Sequence, residues 1–194
     1  MCLYIPLMVK VASMQFTFIS GNPGKVAQVK AYLDYPFTHK KLDLMEIQSL
    51  DLEEIILHKA QEAYRQIQSP VLIEDTALTF HALGKLPGTL IKWFLNEMGT
   101  VKLCQLLNSF SDRTATAQVC FGLYDGTTLR TFTASMEGSI ANEPRGNLDF
   151  GWGPTFIPKG EIKTWGEMSL EEQKPTAIRR IALEKLAVYL KESR

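Results

Sequence analysis

The 194-residue chain has no excess of charge of either sign, with 21 Lys and Arg against 21 Asp and Glu. A protein that holds long nucleic acid on a basic face needs such an excess, so no nucleic-acid polymer is expected as partner. A local basic pocket for a small anion remains open. Cysteine is scarce. Cys2, Cys104 and Cys120 are odd in number and lack metal-ligand spacing, so they read as reduced thiols of a cytoplasmic protein. No apolar run approaches the roughly 20 residues that span a bilayer, so no membrane partner is expected either. Neither a GxGxxG fingerprint nor a Walker A loop is present, which disfavours a Rossmann dehydrogenase. Internal repeats and low-complexity segments are also missing. The apolar stretch Met1–Val11 has no basic start and no clear cleavage site, unlike a signal peptide. Residues 1–13 read as an extension or a misassigned start, ahead of one domain over residues 14–194.

What is present centres on Val71–Gly88, VLIEDTALTFHALGKLPG. Val71-Leu72-Ile73 has the make-up of a strand buried on both faces. Glu74, Asp75 and Thr76 follow, at the place where open α/β sheets bind ligands, beyond a strand's carboxyl end. Paired carboxylates are costly to desolvate unless a metal, a proton or a basic partner answers them. Gly84, Pro87 and Gly88 then read as loop. A divalent ion held against phosphates and an ordinary strand end with solvated acids fit this stretch equally well.

Met14–Ser20 reads as a strand, Gly21-Asn22 as a turn, and Pro23 as the first residue of a helix capped by Asn22. Strand, SGNPGK and helix together resemble an anion cradle, with Lys25 one turn in. A simple capped turn is the plainer alternative. A second strand is expected within Phe37–Ile47, with Glu46 in the loop that follows. Leu52–Ile67 is a helix whose apolar face includes Ile55 and Ala63, which puts Lys59 on the inward side. There it either snorkels outward or meets an anion. Thr89–Met98 and Val101–Phe110 read as two helices, with Lys92 placed to project over the LPG loop. Thr114–Tyr124 alternates as a strand, Asp125-Gly126 is a hairpin signal, and Thr128–Met136 is its partner.

Glu143–Pro158 is rich in glycine, proline and aromatics. Phe150 and Trp152 either clamp a flat ring by stacking or plug the core. Ser169–Glu172 is a capping box. The last helix runs from about Thr176 to Glu192. Lys174, Arg179 and Arg180 cluster at its start, where cations oppose the helix dipole unless an acid or a ligand compensates.

Taken in order, SGNxxK, EDT, LPG, IKWF, PRG…DFGW…P and the basic start of the last helix closely resemble the inosine triphosphate pyrophosphatase family, from about Met14 to the C-terminus. The resemblance implies an α/β fold: a long twisted mixed β-sheet flanked by helices, in two lobes with a central nucleotide cleft. It implies Mg²⁺-dependent hydrolysis of non-standard purine nucleoside triphosphates (ITP, dITP, XTP) to the monophosphate and pyrophosphate, by a cytoplasmic homodimer. Carried over by residue, Ser20, Asn22 and Lys25 would bind the triphosphate, helped by Lys59 and Lys92, and Thr76 would contact the nucleotide. Glu46 and Asp75 would hold Mg²⁺, and Asp75 would orient the attacking water with Glu74 beside it. Phe150, Gly151, Trp152 and Gly153 would line the base pocket, and Lys174, Arg179 and Arg180 would reach the base edge.

The chain departs from the family pattern at three points. Lys85 stands where glycine is usual, Gly153 where Asp is usual, and Ile178-Arg179-Arg180 where Ser-His-Arg is usual. The last two fall in the base pocket and add positive charge, which motivates an expected preference for xanthine over hypoxanthine. An altered base specificity and a catalytically silent nucleotide sensor are the alternative readings.

Overall fold

The computed structural model describes residues 14–148 and 151–192. The expected extension over residues 1–13 and the proposed clamp residue Phe150 lie outside the described residues.

A seven-stranded mixed sheet runs through the molecule. Its strands are β1 (Thr17–Ile19), β2 (Thr38–Lys40), β3 (Val71–Phe80), β4 (Pro87–Gly88), β5 (Thr114–Tyr124), β6 (Leu129–Ile140) and β7 (Phe156–Pro158). The order is β2-β1-β3-β5-β6-β7. The β2-β1-β3 part is parallel, the β3-β5-β6-β7 part is antiparallel, and β4 pairs with β3. The helices are α1 (Pro23–Tyr32), α2 (Leu52–Ile67), α3 (Ile91–Gln105), α4 (Leu170–Gln173) and α5 (Ile178–Glu192).

The strand expected to end at Ile73 instead continues to Phe80. Its second half pairs with β5 through Ala77↔Gln118, Leu78↔Ala117 and Phe80↔Ala115, so a long antiparallel neighbour outweighs the two acids as a stop signal. Glu74 and Asp75 therefore sit in mid-strand. The ligand-site logic survives in another form. β5 covers one edge of β3 along its whole length, so β1 and β4 must share the other edge. β1 pairs only with Val71 and Leu72, and β4 only with Leu78 and Thr79. Residues 73–77 face a notch in the sheet between them.

Helices cover both faces. On one, α1, α3 and α5 pack Val29, Leu103, Leu183 and Leu186 against Leu72, Leu78, Val119 and Phe121. On the other, α2 packs Ile56, Ala60 and Ala63 on Val71, Ile73 and Cys120. α2 comes close because β5 has Gly122 beneath it; a Cβ there would lie 2.3 Å from Ile56 Cγ2. That approach also explains why β5 alternates cleanly only in its first half: from Val119 to Leu123 every residue is buried.

Most local readings hold. Asn22 caps α1 with Pro23 following, Ser169 and Glu172 form the capping box, and α2 spans Leu52–Ile67. The two helices expected around residue 99 are one assigned element broken at Gly99, whose φ of 71° and ψ of 173° leave the helical region. β2 is shorter than the expected strand, ending at Lys40, and the chain from there to Leu50 is irregular. Cys104 and Cys120 are free and buried, and burial pushes their thiols up to about 11 and about 12. Among the described residues no helix is long and apolar enough to cross a membrane.

Candidate active site

Successive strand residues point to opposite faces, and this separates the two acids of β3. Asp75 lies on the α2 face. Glu74 lies on the face of α1 and α5, so the expectation that it stands beside Asp75 at one reacting water is corrected.

On the α2 face, Lys59 reaches from the inward side of its helix to both expected metal ligands. Its Nζ donates to Asp75 Oδ2 at 3.0 Å and to Glu46 Oε1 at 2.9 Å. Glu46 is brought there by an irregular loop that is tied to α2 through Met45 N–H and Glu62 Oε2 at 2.8 Å. Lys92 extends from the start of α3 to within 3.8 Å of Glu46 Oε2, with its side chain 68% exposed. The other oxygen of Asp75 accepts the Thr76 N–H at 2.9 Å. Burial alone would push the Glu46 carboxyl up, but Lys59 and then Lys92 hold it below its ordinary value. Burial would likewise lower the Lys59 ammonium, but Asp75 and Glu46 raise it above its ordinary value.

On the other face, Glu74 is nearly sealed, its side chain 1% exposed. Arg179 donates to its Oε1 through Nη2 at 3.0 Å and Nε at 3.2 Å, and through Nη1 to Gln28 Oε1. Lys25 Nζ forms a salt bridge of 2.7 Å to Oε2. Burial would push the Glu74 carboxyl up, but Arg179 and Lys25 reverse this and keep it ionised below its ordinary value.

The SGNPGK turn is first a helix cap. Ser20 Oγ accepts the Asn22 N–H at 3.2 Å, and Asn22 Oδ1 accepts from Gly24 N and Lys25 N at 2.9 and 3.2 Å. The N–H groups expected to face an anion are thus bonded within the turn, and what the turn offers outward is the charge of Lys25.

The basic start of α5 is fully answered by acids. Lys174 pairs with Glu171 at 2.7 Å and Arg180 with Glu184 at 2.6 Å, both near the surface, while Arg179 turns inward to Glu74. Of the two changes that motivated a xanthine preference, the added cation at residue 179 is answered by Glu74, and Gly153 in place of Asp remains. Trp152 packs with Phe156 and Trp165, ring centroids 6.1 and 5.6 Å away, in the manner of a core plug. Gly153 is buried, and its carbonyl accepts the Gly166 N–H at 3.2 Å. Gly151 is exposed at φ 57°. A cleft of about 800 Å³ opens on the sheet, lined by Ser49, Asp51, Thr79, Gln118, Ser135 and Lys185 and by no residue expected at the site. Gln28 was missed from sequence; nothing in a helical glutamine signals a guanidinium 151 residues away.

Among the described residues no group of three or more His, Cys, Asp and Glu could cage a metal. Glu46 and Asp75 nevertheless fit Mg²⁺, which takes oxygen donors, commonly one or two carboxylates, and fills its remaining positions with water and phosphate. Two carboxylates meeting at one ammonium, in reach of solvent, provide that donor set.

A mixed sheet notched at its parallel–antiparallel junction, with acids and lysines gathered at the notch, defines an α/β protein built to receive a charged ligand. The chain belongs to the Ham1 family, whose model matches residues 16–189. It is 41% identical over 184 residues to the inosine triphosphate pyrophosphatase of Yarrowia lipolytica, covering 92% of this chain and 97% of that protein. The fold is that of the Ham1 protein of Coxiella burnetii (TM-score 0.80, 26% identity, 92% of this chain and 99% of that one). It is also that of the Ham1 protein of Staphylococcus aureus (TM-score 0.80, 23% identity, 93% and 100%).

Proposed function

We propose that this protein hydrolyses non-standard purine nucleoside triphosphates, ITP, dITP and XTP, to the monophosphate and pyrophosphate with Mg²⁺. The observation that carries the proposal is the Glu46–Lys59–Asp75 bridge, with Lys92 beside it. The 41% identity to an inosine triphosphate pyrophosphatase supports the choice of substrate.

Phosphoryl transfer asks little covalent chemistry of a protein; it needs charge stabilisation and an aligned water. Glu46 and Asp75 would hold Mg²⁺, which when bound neutralises charge on the phosphate oxygens. Lys25, Lys59 and Lys92 bind the triphosphate from three elements, with Ser20, Asn22 and Thr76 shaping the turn and strand beneath it. Asp75, the more exposed of the two adjacent acids on β3, orients the attacking water. Gly151, Trp152 and Gly153 would line the base side, the role the family resemblance gives Phe150 as well, and Lys174 and Arg180 are the cations near enough to the surface to reach a base edge. Discrimination against ATP comes from a site that donates to a 6-oxo group and leaves a 6-amino group mispaired. The protein acts as a cytoplasmic homodimer over a single domain of residues 14–194.

The test is pyrophosphate release from ITP, dITP, XTP, ATP and GTP with and without Mg²⁺. Release from the first three alone, dependent on the metal, is the expected result. Release from none of them overturns the proposal.

A further inference from the structure

Arg179 stands where the family pattern usually has His, and its partners say what it does. One buried carboxylate, Glu74, is shared by two cations. Arg179 holds Oε1 by two hydrogen bonds and is oriented from behind by a third, to Gln28, whereas Lys25 holds Oε2 by a single contact at 2.7 Å. Of the two, Lys25 is the more easily withdrawn. It also sits in the first turn of α1 with its side chain 22% exposed.

We infer that Arg179 is a positioning residue: it acts as the standing counter-ion of Glu74, so that Lys25 is free to leave that carboxylate for the substrate's polyphosphate. This rests on the functional reading above. A buried carboxylate that loses its only cation pays a large desolvation penalty, which would be charged against phosphate binding. With Arg179 in place the penalty is avoided. The planar guanidinium presents parallel N–H groups, so a small rotation turns its contact with Oε1 into a fork across both oxygens as Lys25 departs. A neutral histidine at this position would offer one donor and no charge. Gln28 fixes the far side of the guanidinium, so the edge bearing Nε and Nη2 stays on Glu74. The charge of Arg179 thereby serves the phosphate end of the site, through Lys25, and not the base.

The test uses inorganic tripolyphosphate with Mg²⁺ as probe, followed by calorimetry, and ITP for kinetics. Arg179→Met should weaken tripolyphosphate binding about tenfold, the order expected when a charged partner must be pulled from a buried acid. The loss should appear in KM for ITP more than in kcat. The double variant Glu74→Gln/Arg179→Met should recover affinity to within about threefold of wild type, because the carboxylate that competes for Lys25 is gone. A purely structural arginine would not be rescued by removing its own partner.

Unchanged affinity in Arg179→Met, or a double variant no better than the single one, overturns the inference. Should Arg179→Met fail to fold, Glu74→Gln alone against the double variant decides it. Equal affinities support the counter-ion role, and a further loss on removing Arg179 shows that it touches phosphate directly and overturns it. Wild type that binds neither tripolyphosphate nor ITP overturns the functional reading itself, a separate outcome.

Discussion

Two adjacent acids on one strand live in opposite worlds. Glu74 is sealed among α1, α5 and the sheet, with two cations on one carboxylate. Asp75 faces α2 with its side chain 25% exposed, and shares one close lysine with a second carboxylate, Glu46. One face sets two cations on a single sealed carboxylate; the other sets two carboxylates on one lysine, within reach of solvent. An ion that prefers to keep its waters suits the second and not the first. Burial and charge balance, more than residue type, decide which acid of the ED pair stabilises the fold and which is open to chemistry.

Removing each acid should pull the two faces apart most strongly. Glu74→Ala leaves two cations around an empty, nearly buried position, and unfolding in urea should show a loss of about 3–5 kcal/mol. The same asymmetry has an acid signature. Glu74 and Glu46 both titrate below the ordinary glutamate value of 4.5 in the folded protein. Their contribution is therefore complete above pH 4.5 and is lost as pH falls through their lowered folded values. Glu74→Gln should flatten that acid limb, while Glu46→Gln, at a position 39% exposed and screened, should change it little. Lys59 has the opposite sign, since its folded value is raised. Its contribution is present below 10.5 and fades as pH rises through that raised value.

Asp75→Asn should do the reverse of Glu74→Ala. Stability should stay within about 1 kcal/mol of wild type, because the amide oxygen still accepts from Lys59 or Thr76. Pyrophosphate release from ITP should fall about a hundredfold or more, the usual cost of losing a positioned acid or base. A stable variant with full activity would erase the distinction between the faces.

Magnesium alone offers a smaller and cleaner comparison. At tenfold excess over its dissociation constant, a ligand that binds only the folded state adds about 1.4 kcal/mol. Thermal melts with Mg²⁺ should rise in wild type and stay flat in Asp75→Asn. A rise in both would place the ion away from the α2 face.

Much of this was readable from residues. The caps at Asn22 and Ser169, the inward position of Lys59 and the break near residue 99 all rest on local rules, and the structure keeps them. The long extent of β3 was not readable, because the signal that extends it is β5, about forty residues downstream. The split between Glu74 and Asp75 follows from strand geometry once the strand is known to continue, and was hidden while Ile73 looked like its end. Arg179 shows the harder limit. Its sequence neighbours mark it as a cation at a helix start, and only the packing of α5 against α1 and β3 reveals that Glu74 and Gln28 take its hydrogen bonds.

The smallest effect concerns the next residue along. Arg180 carries the same group as Arg179, yet its acid, Glu184, is one turn away on the same helix and 54% exposed. Such an i,i+4 pair contributes about 0.5 kcal/mol or less, since water already solvates both ends. Arg180 Nε also donates to the Lys174 carbonyl at 2.9 Å, which tethers the arginine without help from Glu184. Glu184→Gln should therefore shift the urea midpoint barely above error, and 0.5 M salt should abolish even that shift. If Glu184→Gln instead cost as much as Glu74→Ala, burial would not be what separates the two arginines, and the contrast between the two faces of β3 would lose its physical basis.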